Sequence, residues 1–176
     1  MKNGTLIING KKYEIQMSEA DVAEIEKPRT ATGYERKEEG KEYFMAGYNN
    51  AVGLPEQDDE EDDRHYSVAD YYADYNMACN IARADTLMRR LRQWQALNDK
   101  PVDWSDTDTG KYFIYYEYEA GVLSVMCNWT VRHIGETYFS TQMKAEEAVK
   151  EFEDELIWYF TEYRQRLDEP VRDNAE

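Results

Sequence analysis

The sequence predicts an α+β fold: an N-terminal hairpin, then two related antiparallel strand–strand–helix units, each with a long amphipathic helix on a sheet face. Three observations predict it. Residues 143–167 carry Ala145, Val149, Phe152, Leu156, Tyr159, Tyr163 and Leu167 at intervals of three and four, which stacks them on one side of a helix. Residues 111–119 and 122–131 are rich in aromatic and β-branched side chains around Ala120-Gly121, the pattern of a hairpin. The order of hairpin, tyrosine–aromatic pair and amphipathic helix occurs twice.

Taken in order, Thr5-Leu6-Ile7-Ile8 and Lys12-Tyr13-Glu14-Ile15 flank Asn9-Gly10, a pair suited to a type I′ turn because both positions tolerate positive φ. Ser18 is placed to cap a short helix that turns Val22 and Ile25 inward and stops at Pro28, so 1–28 forms an N-terminal hairpin and helix. Residues 29–41 are polar and predict a linker or loop. The first strand–helix unit, 40–98, begins with a strand over 42–46 and a return over 51–54 after Asn49-Asn50. Seven acids in eight residues at 56–63 predict a loop or mobile tip. A helix follows over 76–98 with Met77, Ile81, Ala84, Met88, Leu91 and Trp94 as its core stripe and Arg83, Arg89, Arg90 and Arg92 outside; Lys100-Pro101 ends it. The second unit, 102–167, opens with a turn-rich connector to residue 110. Apolar residues on both parities of its hairpin predict that both sheet faces are covered. Thr141 is the candidate N-cap of the last helix, and 168–176 forms a mobile tail.

The two units align. Gly40-Lys41-Glu42-Tyr43-Phe44-Met45 parallels Gly110-Lys111-Tyr112-Phe113-Ile114 with one residue skipped, and Asp70-Tyr71-Tyr72-Ala73 and Ala78 parallel Thr137-Tyr138-Phe139-Ser140 and Ala145. The offset is 70 at the glycines, 69 at Tyr43 and Tyr112, and 67 at the later pairs.

Composition narrows the function. The 176 residues carry 37 acids against 21 bases, a net charge of −16. Such a chain repels nucleic acid and anionic membrane, so direct DNA binding is not expected, and it attracts basic partners. Fifteen tyrosines supply apolar area that a disordered acidic chain lacks. No signal peptide or membrane span is expected, and the protein is placed in the cytoplasm. Cys79 and Cys127 form no CxxC pair, and neither His65 nor His133 stands at a motif spacing from a nucleophile. Asp106-Thr107-Asp108-Thr109-Gly110 begins like an EF-hand loop, but its glycine is one place early and the fifth-position carboxylate is missing. No catalytic residue, metal or cofactor is therefore assigned.

What remains is a charge pattern. The run Glu56, Asp58, Asp59, Glu60, Glu61, Asp62 and Asp63 is one row of carboxylates; Glu147, Glu151, Asp154, Glu155 and Glu162 on the outer side of the last helix are a second. Like charges four apart on a helix cost about 0.2–0.5 kcal/mol each, so folding alone does not call for the second row. Carboxylates on a folded element can occupy the surface that a nucleic-acid-binding protein presents to phosphates. Trp158, amid the second row, is either an interface anchor or a ring packed on the other half of the same protein.

The connector Lys100-Pro101-Val102-Asp103-Trp104, the strand Lys111-Tyr112-Phe113-Ile114-Tyr115-Tyr116, and Tyr138-Phe139-Ser140-Thr141 leading to Ala145 and Ala148 resemble small acidic proteins of prophages from Gram-positive gut bacteria. The resemblance covers residues 40–163. Some proteins of that kind are anti-CRISPR proteins that inhibit Cas9. The resemblance implies a non-enzymatic phage counter-defence protein that binds Cas9, with or without guide RNA, and blocks target DNA binding or cleavage; it carries no site residues with it. Cas9 holds its heteroduplex in a basic channel, which suits an acidic competitor. The alternatives are a phage accessory or structural protein whose acidity serves solubility, an inhibitor of another nucleic-acid-binding defence protein, and an enzyme whose site is assembled from distant residues.

Overall fold

The computed structural model describes residues 2–8, 11–18, 32–48 and 50–163. The chain divides into two units, 1–31 and 32–176. In the first, β1 (Lys2–Ile8) pairs antiparallel with β2 (Lys11–Met17), Ile8 opposite Lys11. That register leaves a two-residue connection, as Asn9-Gly10 requires. The Asn9-Gly10 turn itself, the helix expected up to Pro28, Leu167 and the tail all lie outside the described residues.

The second unit contains β3 (Glu42–Ala46), β4 (Ala51–Pro55), α1 (Glu60–Ser67), α2 (Tyr75–Asn98), β5 (Lys111–Glu117), β6 (Val122–Asn128), α3 (Gln142–Glu151) and α4 (Glu153–Thr161). Helices and antiparallel hairpins together make this an α+β fold. Strand β3 pairs with β4 and β5 with β6. Gly121 takes φ +71 in the β5–β6 turn, a backbone that a side chain would strain.

The two strand–strand–helix units share geometry. Phe44 bridges to Tyr72 in the first copy and Tyr112 to Phe139 in the second. Asp74 caps α2 by accepting from the Met77 N–H, and Thr141 caps α3 by accepting from the Lys144 N–H. Ala78 and Ala145, one turn into each helix, have no exposed surface. Since Phe44, not Tyr43, matches Tyr112, the offset in the strands is 68, one less than the sequence alignment placed it.

Helix α2 serves both copies. Met77, Ala78 and Ile81 join Ala51 and Tyr72 in one core; Leu87 and Leu91 join Ile114, Phe139, Ala145, Ala148, Phe152 and Leu156 in the other. Of the expected α2 stripe, Met77, Ile81, Ala84 and Leu91 are buried, and Met88 and Trp94 are partly buried at the edge of the second core. Burying a side chain such as Leu or Phe contributes about 1.5–3 kcal/mol, so a helix shared in this way ties the copies together.

Two expectations are corrected. The last helix is not continuous over 143–167: α3 ends at Phe152 (φ −117) and α4 starts there without a side-chain cap. Phe152 sends its ring into the second core, where the Arg90 guanidinium lies 5.1 Å from its centre. The second hairpin is covered on both faces at one end only. Helix α3 lies on the face of Ile114, Leu123 and Val125, whereas on the opposite face Lys111 and Phe113 are buried, Phe113 against Tyr138 and His133. Val122 and Met126 on that face stay about half exposed.

Candidate acidic interface

The acid run does not form a loop from end to end. Asp58 turns the chain with φ 55, a left-handed conformation that Asp tolerates better than most residues. Asp59 then caps α1, its carboxylate accepting from the Glu61 N–H at 2.8 Å and the Asp62 N–H at 3.1 Å. Asp62 returns the bond to the Asp59 N–H, completing a capping box. The first turn of a helix leaves N–H groups unpaired and carries a partial positive charge, so acids that would disrupt a helix interior favour its start. The expectation of a loop counted charges without their position on the helix.

Two of the seven carboxylates are internal, which corrects their assignment as partner contacts. Glu56 is 2% exposed and Asp62 is 3% exposed. Glu56 accepts from Arg36 Nη2 at 2.9 Å, from the Tyr71 hydroxyl at 2.5 Å and from the Asp58 N–H at 3.1 Å. Asp62 accepts from the Tyr43 hydroxyl at 2.9 Å and the Gln57 N–H at 2.6 Å. A carboxylate only accepts, so the Tyr43 proton lies toward Asp62, and His65 Nδ1, 2.7 Å from the same hydroxyl, is the donor. The Tyr43 and Tyr71 rings stack with centres 4.0 Å apart. Burial pushes the Asp62 carboxyl up, but the bonds from the Gln57 N–H, the Tyr43 hydroxyl and the Asp59 N–H outweigh it and hold it below its usual value. Burial, then the bond to Glu56, pushes the Tyr71 hydroxyl up to about 12. Burial, then the bond to Asp62, raises Tyr43 as well.

Asp58, Asp59, Glu60, Glu61 and Asp63 form the exposed remainder of the run. Arg36 holds two of them, Asp63 at 2.5 Å and Asp58 at 3.4 Å, while it also holds Glu56. Sequence reasoning placed Arg36 in a polar linker and missed it. A single arginine 20 residues before the run, in a stretch without periodicity, carries no signal of the contact.

The second row is scattered by the break at Phe152. Glu147 is paired with Lys144 at 2.6 Å, and Glu155 with Arg90. Glu151, Asp154 and Glu162 are exposed, the first on α3, the second at the start of α4 and the third at its C-cap. Trp158 is buried, with the Arg83 guanidinium 3.7 Å from its ring centre and Tyr163 beside it. Of its two readings, packing on the other half of the protein is the one the structure has. Arg83 and Arg90, expected on an open basic face, are the α2 side of that packing.

Elsewhere, the EF-hand-like stretch is closed by its own cation. Lys111 is 1% exposed and its ammonium donates to the carbonyls of Asp106 and of Thr109, the latter at 2.6 Å. The Asp106 carboxylate accepts from the Asp108 and Thr109 N–H groups and the Thr109 hydroxyl. Those bonds, the Thr109 hydroxyl first, hold the Asp106 carboxyl below its usual value. Among the described residues no group of three or more His, Cys, Asp or Glu is placed to hold a metal ion, and no helix is long and apolar enough to cross a membrane. Cys79 and Cys127 are free and partly buried. His133 sits beside Asn128 and the ring of Phe113.

Compared with protein families, curated proteins and solved structures, the chain matches none.

Proposed function

We propose that this chain is a non-enzymatic binding protein that sets a fixed row of carboxylates against the nucleic-acid-binding surface of a basic partner. The observation that carries the reading is the exposed set Asp58, Asp59, Glu60, Glu61 and Asp63, five acids in six residues at a capped helix start. A row held by a capping box and an arginine loses little conformational freedom on binding, which favours affinity. The chain's charge of −16 adds long-range steering toward basic surfaces. The resemblance to prophage anti-CRISPR proteins narrows the partner to Cas9, alone or with guide RNA, in a bacterial cytoplasm.

The test is a pull-down with purified Cas9, with and without guide RNA, followed by target-DNA binding and cleavage assays. The chain carrying D58N, D59N, E60Q, E61Q and D63N is the comparison. Asn caps a helix about as well as Asp, so the variant keeps its α1 start. Association that weakens with salt and is lost in the variant supports competition for the DNA-binding surface. Association with DNA binding intact and cleavage lost keeps an inhibitor and rejects phosphate mimicry. No association with either form rejects Cas9 and returns the acidity to solubility or to another basic defence protein.

A further inference from the structure

Among the described residues strand β6 has one partner. Its inner edge pairs with β5 from Val122 opposite Glu117 to Asn128 opposite Lys111, and among the described residues its outer edge pairs with nothing. The corresponding strand of the first copy, β4, has five residues and ends in Pro55, a residue that blunts an edge. Strand β6 has seven, with neither proline nor a charged side chain. Val122 and Met126 are 50% and 46% exposed on its outer face. Beyond it Trp129, Val131 and Ile134 are exposed in turn.

The charge pattern selects the occupant. Residues 120–135 form the longest stretch without an acid in a chain that has 37, and they carry only Arg132 and His133. A basic partner is drawn to the acidic faces and not to this edge. An antiparallel strand edge is self-complementary: two copies of β6 turned head to tail satisfy the same N–H and C=O groups on both, and a two-fold arrangement closes without leaving a new edge. We propose that β6 is the interface of a homodimer, in which two β5–β6 hairpins join edge to edge into a four-stranded sheet. The exposed Val122 and Met126 of each copy then lie on one continuous face. This inference does not depend on the identity of any other partner.

The sign of the salt effect separates it from the proposed function. Two chains of charge −16 repel each other beyond the neutral edge, and the Debye length falls from about 10 Å at 0.1 M salt to about 3 Å at 1 M. Self-association therefore strengthens with salt, where binding to a basic partner weakens. The experiment is sedimentation equilibrium of the full chain over a range of concentration and salt, alongside V122K/M126K and, as a control, L97K on the exposed end of α2. The expected result is a monomer–dimer equilibrium that tightens with salt, shifts at least tenfold toward monomer in V122K/M126K and is unchanged in L97K. Circular dichroism establishes that the variants stay folded; should V122K/M126K unfold, the single variant M126K is read instead. A monomer at every concentration and salt overturns the inference, as does a dimer that survives the lysines, or open-ended assembly in place of a closed dimer.

Discussion

The guanidinium carbon of Arg83 lies 3.7 Å from the centre of the Trp158 ring, one residue from each of the two strand–helix units. Seven residues on, Arg90 reaches Glu155 and the ring of Phe152. The basic side of α2 thus faces the acidic and aromatic side of α3 and α4. Trp158→Ala is expected to cost about 3–5 kcal/mol of unfolding free energy, the usual loss for a buried aromatic. Arg83→Ala is expected to cost about 1 kcal/mol, and the double variant less than the sum of the two. Urea denaturation of the four proteins measures the coupling; additive losses would mean that the stacking contributes nothing.

The division of the acid run into buried and exposed members predicts two kinds of phenotype. Glu56→Ala leaves the buried Tyr71 hydroxyl without its acceptor and takes from Arg36 one of its three carboxylates, and an unsatisfied buried group of this kind costs about 1–3 kcal/mol. Replacing Glu60 and Glu61 by glutamine changes stability by less than about 0.5 kcal/mol, as surface substitutions do. Thermal melts check the first pair of statements. Binding of a basic partner, measured at fixed salt, is expected to respond to the exposed pair.

Acid and alkali are expected to act on different groups. Bonds from the Thr32 N–H and hydroxyl hold Glu35 down to about 2, and Asp62 is also lowered. A lowered carboxyl contributes stability above its unfolded pKa and loses it as pH falls through the folded value, so the melting temperature falls from about pH 4 downward. The phenols run the other way. Tyr71 is raised to about 12, and burial raises Tyr43 and Tyr72 too. Their contribution is complete below the unfolded pKa near 10 and is lost as pH rises through the folded value. Tyrosinate absorbance during alkaline titration should show a late group of tyrosines that ionises together with unfolding. A smooth titration of all fifteen near pH 10 would contradict the buried network.

Lys111 fills the place a cation would take in the 106–110 loop. Lys111→Met removes charged hydrogen bonds to two carbonyls, a loss of about 1.5–3 kcal/mol. Calcium is expected to leave the melting temperature of the native chain unchanged, because the carbonyls already have their donor. A calcium-dependent rise in the melting temperature would overturn this account of the loop.

The legible part of the fold was the part written locally. The strand over 42–46 is found with those bounds, and Thr141 is the cap expected ahead of the last helix. The caps at Asp59 and Asp74 are short acceptors of the same kind that the apolar spacing does not single out, and at Asp59 the density of acids hides a helix start. The break at Phe152 was not legible, since the three-and-four spacing runs through it undisturbed and only packing beneath Arg90 distinguishes it. The same holds for Trp158, whose neighbour Arg83 lies 75 residues away in the chain. Glu56 and Asp62 look like their exposed neighbours because a carboxylate's burial depends on Arg36, Tyr43 and Tyr71, which arrive from other elements.

The sharing of α2 also limits how the chain can be divided. Its first half closes the core around Tyr72 and its second half closes the core around Phe139. A lone copy of the unit would have its own helix half covered and half bare, and a fragment beginning after Asn98 would leave Ala145, Ala148 and Phe152 without Leu87 and Leu91. Cutting the chain after α2 would therefore expose apolar surface in both pieces, so the two cores are expected to melt together and not one after the other.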